Sequence, residues 1–189
     1  METEEKIAII KDRARKNFSK GFNCAECILE AFLEHVDTGL PKESLKMVTG
    51  FGGGVGLYGD TCGAITGAVM AVGSVRGRTQ LPEGDDRKAV ARQAAKQLYG
   101  KPGFYRLFNR IPNMVKDKYG NTLCREICTQ WKDNWLCRDH ALHCREIITD
   151  TAEFAAKLIY EDKDKSSSMP FGDNVENLKD VPANCDSKG

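Results

Sequence analysis

Cys24 follows Asn23, Cys62 follows Thr61, and Cys124 lies three residues after Asn121, so three cysteines fall in the first turn of three different expected helices. That position has a chemical consequence. Unpaired backbone N–H groups and the positive end of the helix dipole favour anions there, which lowers thiol pKa and stabilises thiolates or a thiolate-bound metal. Cys144 differs, because it lies within a helix on the face shared with Ile148, Thr151, Ala155 and Leu158, and so points toward the core. It is placed to meet the other three. Any one of these alone would read as a small apolar filler, since cysteine often serves as one.

The chain holds eight cysteines in 189 residues. That is roughly 4%, below the density of small disulfide scaffolds and above what scattered core residues require. In a reducing compartment such thiols usually serve metal binding or redox chemistry. Cys27, Cys128 and Cys137 are weaker candidates, and Cys185 falls in a polar tail. Cys24-Ala25-Glu26-Cys27 has the spacing of a redox motif without the βαβ setting of a thioredoxin-like site. Ile28 stands where a c-type haem site needs His, which argues against haem. The run from Cys124 through Cys128 and Cys137 to Cys144, with His140 and His143 inside it, is a second cluster of soft ligands that could take zinc. His35, His140 and His143 lie on otherwise polar helical stretches, as surface histidines do.

These side chains need helices to hold them, and the periodic signals are helical. Ile7, Ile10, Ala14 and Phe18 recur at steps of three and four within Glu4 to Phe18, and Gly21 ends that helix. Asn23 and Glu26 have capping-box spacing and open a helix through Val36. A short helical stretch, Lys42 to Val48, precedes a glycine-rich loop, Gly50 to Gly59, and Thr61 is expected to cap a helix from Cys62 to Val75. Further helices are expected over Asp85 to Tyr99, Phe104 to Lys118, Asn121 to Trp131 and Arg138 to Tyr160. No segment alternates like a strand. An all-α, compact multi-helix domain over residues 1–160 follows, with an irregular polar tail over 161–189 whose Phe171 and Leu178 are too sparse for a core.

Gly54-Val55-Gly56-Leu57-Tyr58-Gly59 is literally a GxGxxG string, but a dinucleotide fingerprint needs a preceding strand and a helix opening within it. A backbone that must approach something closely, with N–H groups offered to sulfur beside Cys62, is the better expectation for Gly53, Gly54 and Gly63. Ala64, Gly67, Ala68, Ala71 and Ser74 add a stripe of small residues, which suits close helix packing or an inorganic cluster.

The formal charge is only +1, so nucleic acid is not the expected partner. The N-terminal residues alternate charge with isolated apolar side chains, unlike a secretory signal, and Gly63 to Val75 is too short to span a bilayer. No membrane insertion and a cytoplasmic location are expected. No nucleophile–base or carboxylate pair can be located from spacing, so turnover of a substrate is not inferred; an enzyme here would be an oxidoreductase.

Cys62-Gly63-Ala64-Ile65-Thr66-Gly67 fits a CGAxxG element, preceded by Phe51-Gly52-Gly53-Gly54 and, earlier, by Asn23-Cys24-Ala25-Glu26. With Cys124-Arg125-Glu126-Ile127 and Cys144, these segments resemble the C_GCAxxG_C_C family of redox-active proteins across about residues 5–160. The resemblance implies a redox function, and a similar helical domain in split-Soret cytochrome c is associated with an iron–sulfur centre. The chain departs from the family in its additional Cys27, Cys128 and Cys137. The combined expectation is an iron–sulfur cluster on Cys24, Cys62, Cys124 and Cys144, used for electron transfer or redox sensing with a redox partner protein. A metal-free dithiol/disulfide protein and a structural zinc module are the alternatives, and a homodimer is left open.

Overall fold

The computed structural model describes residues 2–172 and Val175. Among these the regular structure is helical, and the only β-type pairing is an isolated antiparallel bridge between Thr61 and Leu123. The fold is all-α, as the periodicity indicates. No helix among the described residues is long and apolar enough to cross a membrane. The chain divides into two units, residues 1–76 with 111–160, and residues 77–110 with 161–189.

In the first unit, α1 (Thr3–Phe18) carries acids in its first turn and bases in its last, which complements the helix dipole. Its buried face presents Ile10, Ala14 and Asn17. Helix α2 (Cys24–His35) opens with the full capping box: the Asn23 side chain accepts the Ala25 and Glu26 N–H groups, and the Glu26 carboxylate accepts the Asn23 N–H. A 3₁₀ stretch, Lys42–Met47, and another, Thr49–Phe51, lead to the one-turn α3 (Gly52–Val55), and α4 (Gly63–Arg76) follows. The long α8 (Arg138–Tyr160) packs against α1, α2 and α4. Phe32, Ile10, Ile28, Leu29, Val72, Ile148 and Leu158 are fully buried among these four helices, each adding on the order of 1.5–3 kcal/mol of apolar burial.

Helices α2 and α4 approach closely because of Gly67. A Cβ there would stand 2.6 Å from the Ala25 carbonyl oxygen and 2.8 Å from its Cα. The small-residue stripe therefore serves helix packing along much of its length, with Ala64, Ala68 and Ala71 also buried. Asn17 joins α1 to α2 by donating from Nδ2 to the Cys27 carbonyl at 3.2 Å and to the Glu30 carboxylate, which also pairs with Arg13.

The second unit contains α5 (Arg87–Tyr99), N-capped by Asp86, and the beginning of α6 (Phe104–Tyr119), which enters the first unit at Ile111. Pro112 lies inside α6, although proline lacks the N–H that an interior helical position normally donates. After Tyr160 comes the one-turn α9 (Lys163–Ser166), and Phe171 is buried with the Arg106 guanidinium 4.6 Å from its ring centre. Arg106 also donates to the Gly100 and Met169 carbonyls, at 2.8 and 3.3 Å. The sequence pattern alone assigns Phe171 no core, whereas in the structure it is buried with Arg106 against its ring. Leu178 and Cys185 lie outside the described residues.

Candidate metal and redox site

Two loops in the first unit are laced together by backbone hydrogen bonds. The Cys62 N–H donates to Thr122 O at 2.8 Å, Cys124 N–H to Asp60 O at 2.7 Å, and Arg125 N–H to Gly59 O at 3.0 Å. This pairing sets Cys62 just before α4 and Cys124 at the first position of the one-turn α7 (Cys124–Ile127) side by side. Thr61, expected as a helix cap, instead stands one residue too early: the Cys62 carbonyl accepts the first N–H groups of α4, while Thr61 bridges to Leu123 and donates its own N–H to Asp60 Oδ1 at 2.8 Å. Asn121 likewise does not start a long helix. Its side chain accepts the Thr122 and Leu123 N–H groups in a local turn, and helix begins three residues later.

The glycine loop folds back on itself through Gly59 N–H to Gly53 O and Asp60 N–H to Gly54 O, both at 3.1 Å. Gly53 and Gly54 adopt left-handed φ of 64° and 68°, and so do Val55 and Leu57 at 65°. A β-branched residue in that region is strained, by about 1–3 kcal/mol. Asn23 ties the loop's start to α2 by donating from Nδ2 to Thr49 O at 2.9 Å, and Thr49 Oγ1 donates to Glu26 at 2.7 Å. The loop is thereby held over Cys24, at the first position of α2.

A cavity of about 280 Å³ opens between these loops and α8. Cys24, Cys62, Cys124 and Cys144 all line it, and so do Cys128, Cys137 and His140. The remaining lining is mostly apolar, including Phe18, Ala64, Ala141 and Ile147, and no carboxylate or ammonium group faces it among the described residues. Six sulfurs and one imidazole in an apolar cavity are a soft donor set, suited to zinc, copper(I) or iron–sulfur centres. Cys27 is not among them. Its buried thiol donates to Phe22 O at 3.5 Å, and it takes no part in the cavity lining.

Gly53 lines the cavity, and its N–H faces the Cys24 sulfur. Gly63 stands so close to Cys24 that a Cβ would overlap Sγ, and the same Cβ would lie 2.8 Å from Phe51 O. Gly54 is hemmed in by the Asp60 backbone, which makes it a requirement of the turn. The GxGxxG string has no strand before it among the described residues.

Helix-start placement gives an expectation of acidic thiols, and the structure reverses it. Burial pushes the Cys24 and Cys62 thiols up, outweighing the N–H groups of Gly53 and Ala64 that favour their thiolates. Cys124 is raised by the hydrogen bond it shares with Cys128 and then by burial. For Cys128 the Cys124 hydrogen bond acts downward, but Cys144 and burial prevail and push its pKa up to about 12. Among the described residues no cation lines the cavity to offset the desolvation of a thiolate. A metal would supply that positive charge and displace the thiol protons.

His140 also departs from the surface role expected of it. It is 6% exposed, its ring lies 4.2 Å from that of Trp135 and 5.4 Å from that of Trp131, and its Nδ1 meets the Trp135 carbonyl oxygen. A carbonyl only accepts, so Nδ1 carries the proton and the Nε2 lone pair is left facing Cys144 Sγ at 3.3 Å. Cys128 Sγ completes a group of three ligand atoms all within 4.8 Å of one another. The spacing that could have revealed them is helical: Cys128 follows Cys124 by four, and His140 precedes Cys144 by four. His143 stands apart from this group, between the rings of Trp131 and Tyr119, with Nε2 buried and unpartnered. His35 is exposed at the end of α2.

Residues 22–158 match the model of a protein family described as "Putative redox-active protein (C_GCAxxG_C_C)". The chain belongs to the C_GCAxxG_C_C family. No curated protein and no solved structure matches it. The matched span contains every cavity-lining cysteine of this C_GCAxxG_C_C protein, together with His140.

Proposed function

We propose that this protein carries an iron–sulfur cluster on Cys24, Cys62, Cys124 and Cys144, serving electron transfer or redox sensing. The supporting observation is that these four sulfurs line one apolar cavity with no carboxylate among the described residues of its wall. Four thiolates are the usual ligand set of such clusters, and a bound cluster supplies one-electron chemistry. The chain's own contribution would be positional. Gly53, Gly54 and Gly63 let the loop backbone come close, the Gly53 N–H stabilises charge on Cys24, and Phe18, Ala64 and Ile147 exclude water. Leu57 and Leu136, also part of the lining, are 71% and 95% exposed at the mouth, where a redox partner protein would dock. A cytoplasmic, reducing location suits free thiols in this number.

A second use of the cavity rests on Cys124 and Cys128, four residues apart and both on its wall, each of which shifts the other's thiol pKa. Those two thiols could cycle as a dithiol and a disulfide, passing two electrons and two protons to an oxidised partner disulfide as their S–S bond forms. Iron and acid-labile sulfide analysis of anaerobically prepared protein separates the two, alongside mapping of disulfide-linked peptides. Iron and sulfide in near-equal amounts support the cluster. A metal-free protein with a Cys124–Cys128 disulfide after mild oxidation supports the dithiol cycle.

A further inference from the structure

Cys128, His140 and Cys144 meet a stricter geometric condition than sharing a cavity. Around a tetrahedral zinc ion, Zn–S of about 2.3 Å and Zn–N of about 2.0–2.1 Å place two sulfurs about 3.8 Å apart and sulfur and nitrogen about 3.6 Å apart. Here Cys144 Sγ and His140 Nε2 are already 3.3 Å apart, and none of the three ligand atoms is more than 4.8 Å from another. Adjustment by ordinary side-chain rotation would close the site.

The imidazole is also prepared for the task. Metal-bound histidines characteristically donate their other ring nitrogen to a carbonyl or carboxylate, which fixes the tautomer and aims the ring. Trp135 O plays that part for His140 Nδ1, and the flanking Trp131 and Trp135 rings restrict its rotation. The ring is buried, so the lone pair on Nε2 is turned toward sulfur instead of water.

The geometry points to a zinc site formed by Cys128 Sγ, His140 Nε2 and Cys144 Sγ, with a fourth coordination position opening into the cavity that all three line. This assignment does not rest on the iron–sulfur proposal. Because Cys144 belongs to both ligand sets, the two centres exclude one another: zinc on the triad withholds one of the four cysteines that a cluster needs. Cys24 and Cys62 have no part in the zinc site. Two thiolates and an imidazole favour zinc over magnesium or calcium, which require oxygen ligands.

The direct test is X-ray absorption at the zinc edge on the full-length chain, reduced, anaerobic and loaded with one equivalent of zinc. A nitrogen shell at about 2.0–2.1 Å beside a sulfur shell at about 2.3 Å is expected, and a shell of sulfur alone overturns the assignment. Cobalt(II) titration provides the residue-level check, since tetrahedral thiolate-bound cobalt absorbs visibly. Cys128→Ser and His140→Ala are expected to weaken cobalt binding at least 10-fold, while His140→Cys, which retains a soft donor, recovers it. Cys24→Ser is expected to keep the cobalt spectrum and to lose iron and sulfide on reconstitution. Full cobalt affinity in His140→Ala, or its loss in Cys24→Ser, would place the metal elsewhere in the cavity and overturn the triad. Loss of iron and sulfide alone, in a protein that still binds cobalt, bears only on the cluster.

Discussion

Replacing Gly63 by alanine adds one methyl group at the point where α4 begins. That methyl would overlap Cys24 Sγ and stand 2.8 Å from Phe51 O. Comfortable separation from carbon begins near 3.5–4.0 Å, so Sγ must move by more than about 1 Å, or the loop must lift by several tenths of an ångström. Metal–ligand distances tolerate about 0.2 Å, far less than this displacement. The overpacking should cost about 1–3 kcal/mol of stability. The larger effect is expected at the site, with iron incorporation falling at least about 10-fold, comparable to or beyond the loss of a supporting interaction around a metal ligand. The matched control is Gly50→Ala, in the same loop, where an added Cβ meets nothing within 4 Å. Both variants would be followed by far-ultraviolet circular dichroism, thermal melting, iron per chain after reconstitution, and thiol alkylation of Cys24. Helicity should be preserved in both. If Gly63→Ala matched Gly50→Ala in iron content and Cys24 reactivity, the loop backbone would not be crowding that sulfur, and Gly63 would be an ordinary helix-start glycine.

Other perturbations have defined outcomes. Asn17→Ala leaves the buried Cys27 carbonyl without its Nδ2 donor and should cost about 1–3 kcal/mol in urea unfolding, without changing metal content. Burial acts to raise the Glu30 pKa, but hydrogen bonds from Arg13 and Asn17 outweigh it and hold the carboxyl below its ordinary value of 4.5. The pair's stabilisation is therefore full above about pH 4.5 and is lost as pH falls through the lower folded value, so Glu30→Gln should flatten the acid limb of a stability–pH curve. Leu57→Gly removes left-handed strain of about 1–2 kcal/mol at an exposed position against about 0.4–1 kcal/mol of added unfolded-state entropy, and should raise the melting temperature slightly. An unchanged or lower melting temperature would show that Leu57 contributes more by covering the cavity than it costs in backbone strain.

Much of the helical framework is readable in the sequence. The capping box at Asn23 and Glu26 is local chemistry, and the three- and four-residue steps in α1 and α8 identify the faces that pack together. The CGAxxG element likewise marks where α4 begins. Other features depend on partners that local patterns do not reveal. Thr61 resembles a cap, yet it stands one residue too early and bridges to Leu123, and Phe171 appears isolated until Arg106 is brought against its ring. His140 follows the charged Arg138 and Asp139 in sequence, and only the fold of residues 131–137 places two tryptophan rings and a carbonyl around it. The thiols show the clearest reversal: helix starts favour thiolates locally, whereas burial, a property of the whole fold, favours the neutral form.

The most direct test is the iron and acid-labile sulfide content of the full-length protein prepared and reconstituted without oxygen, read together with its visible absorption. Wild type is expected to be brown, with iron and sulfide in near-equal amounts, and Cys24→Ser, Cys62→Ser, Cys124→Ser and Cys144→Ser are each expected to lose both. A colourless wild type without sulfide, or Cys24→Ser and Cys62→Ser variants that retain full iron and sulfide, would contradict a cluster held by these four cysteines.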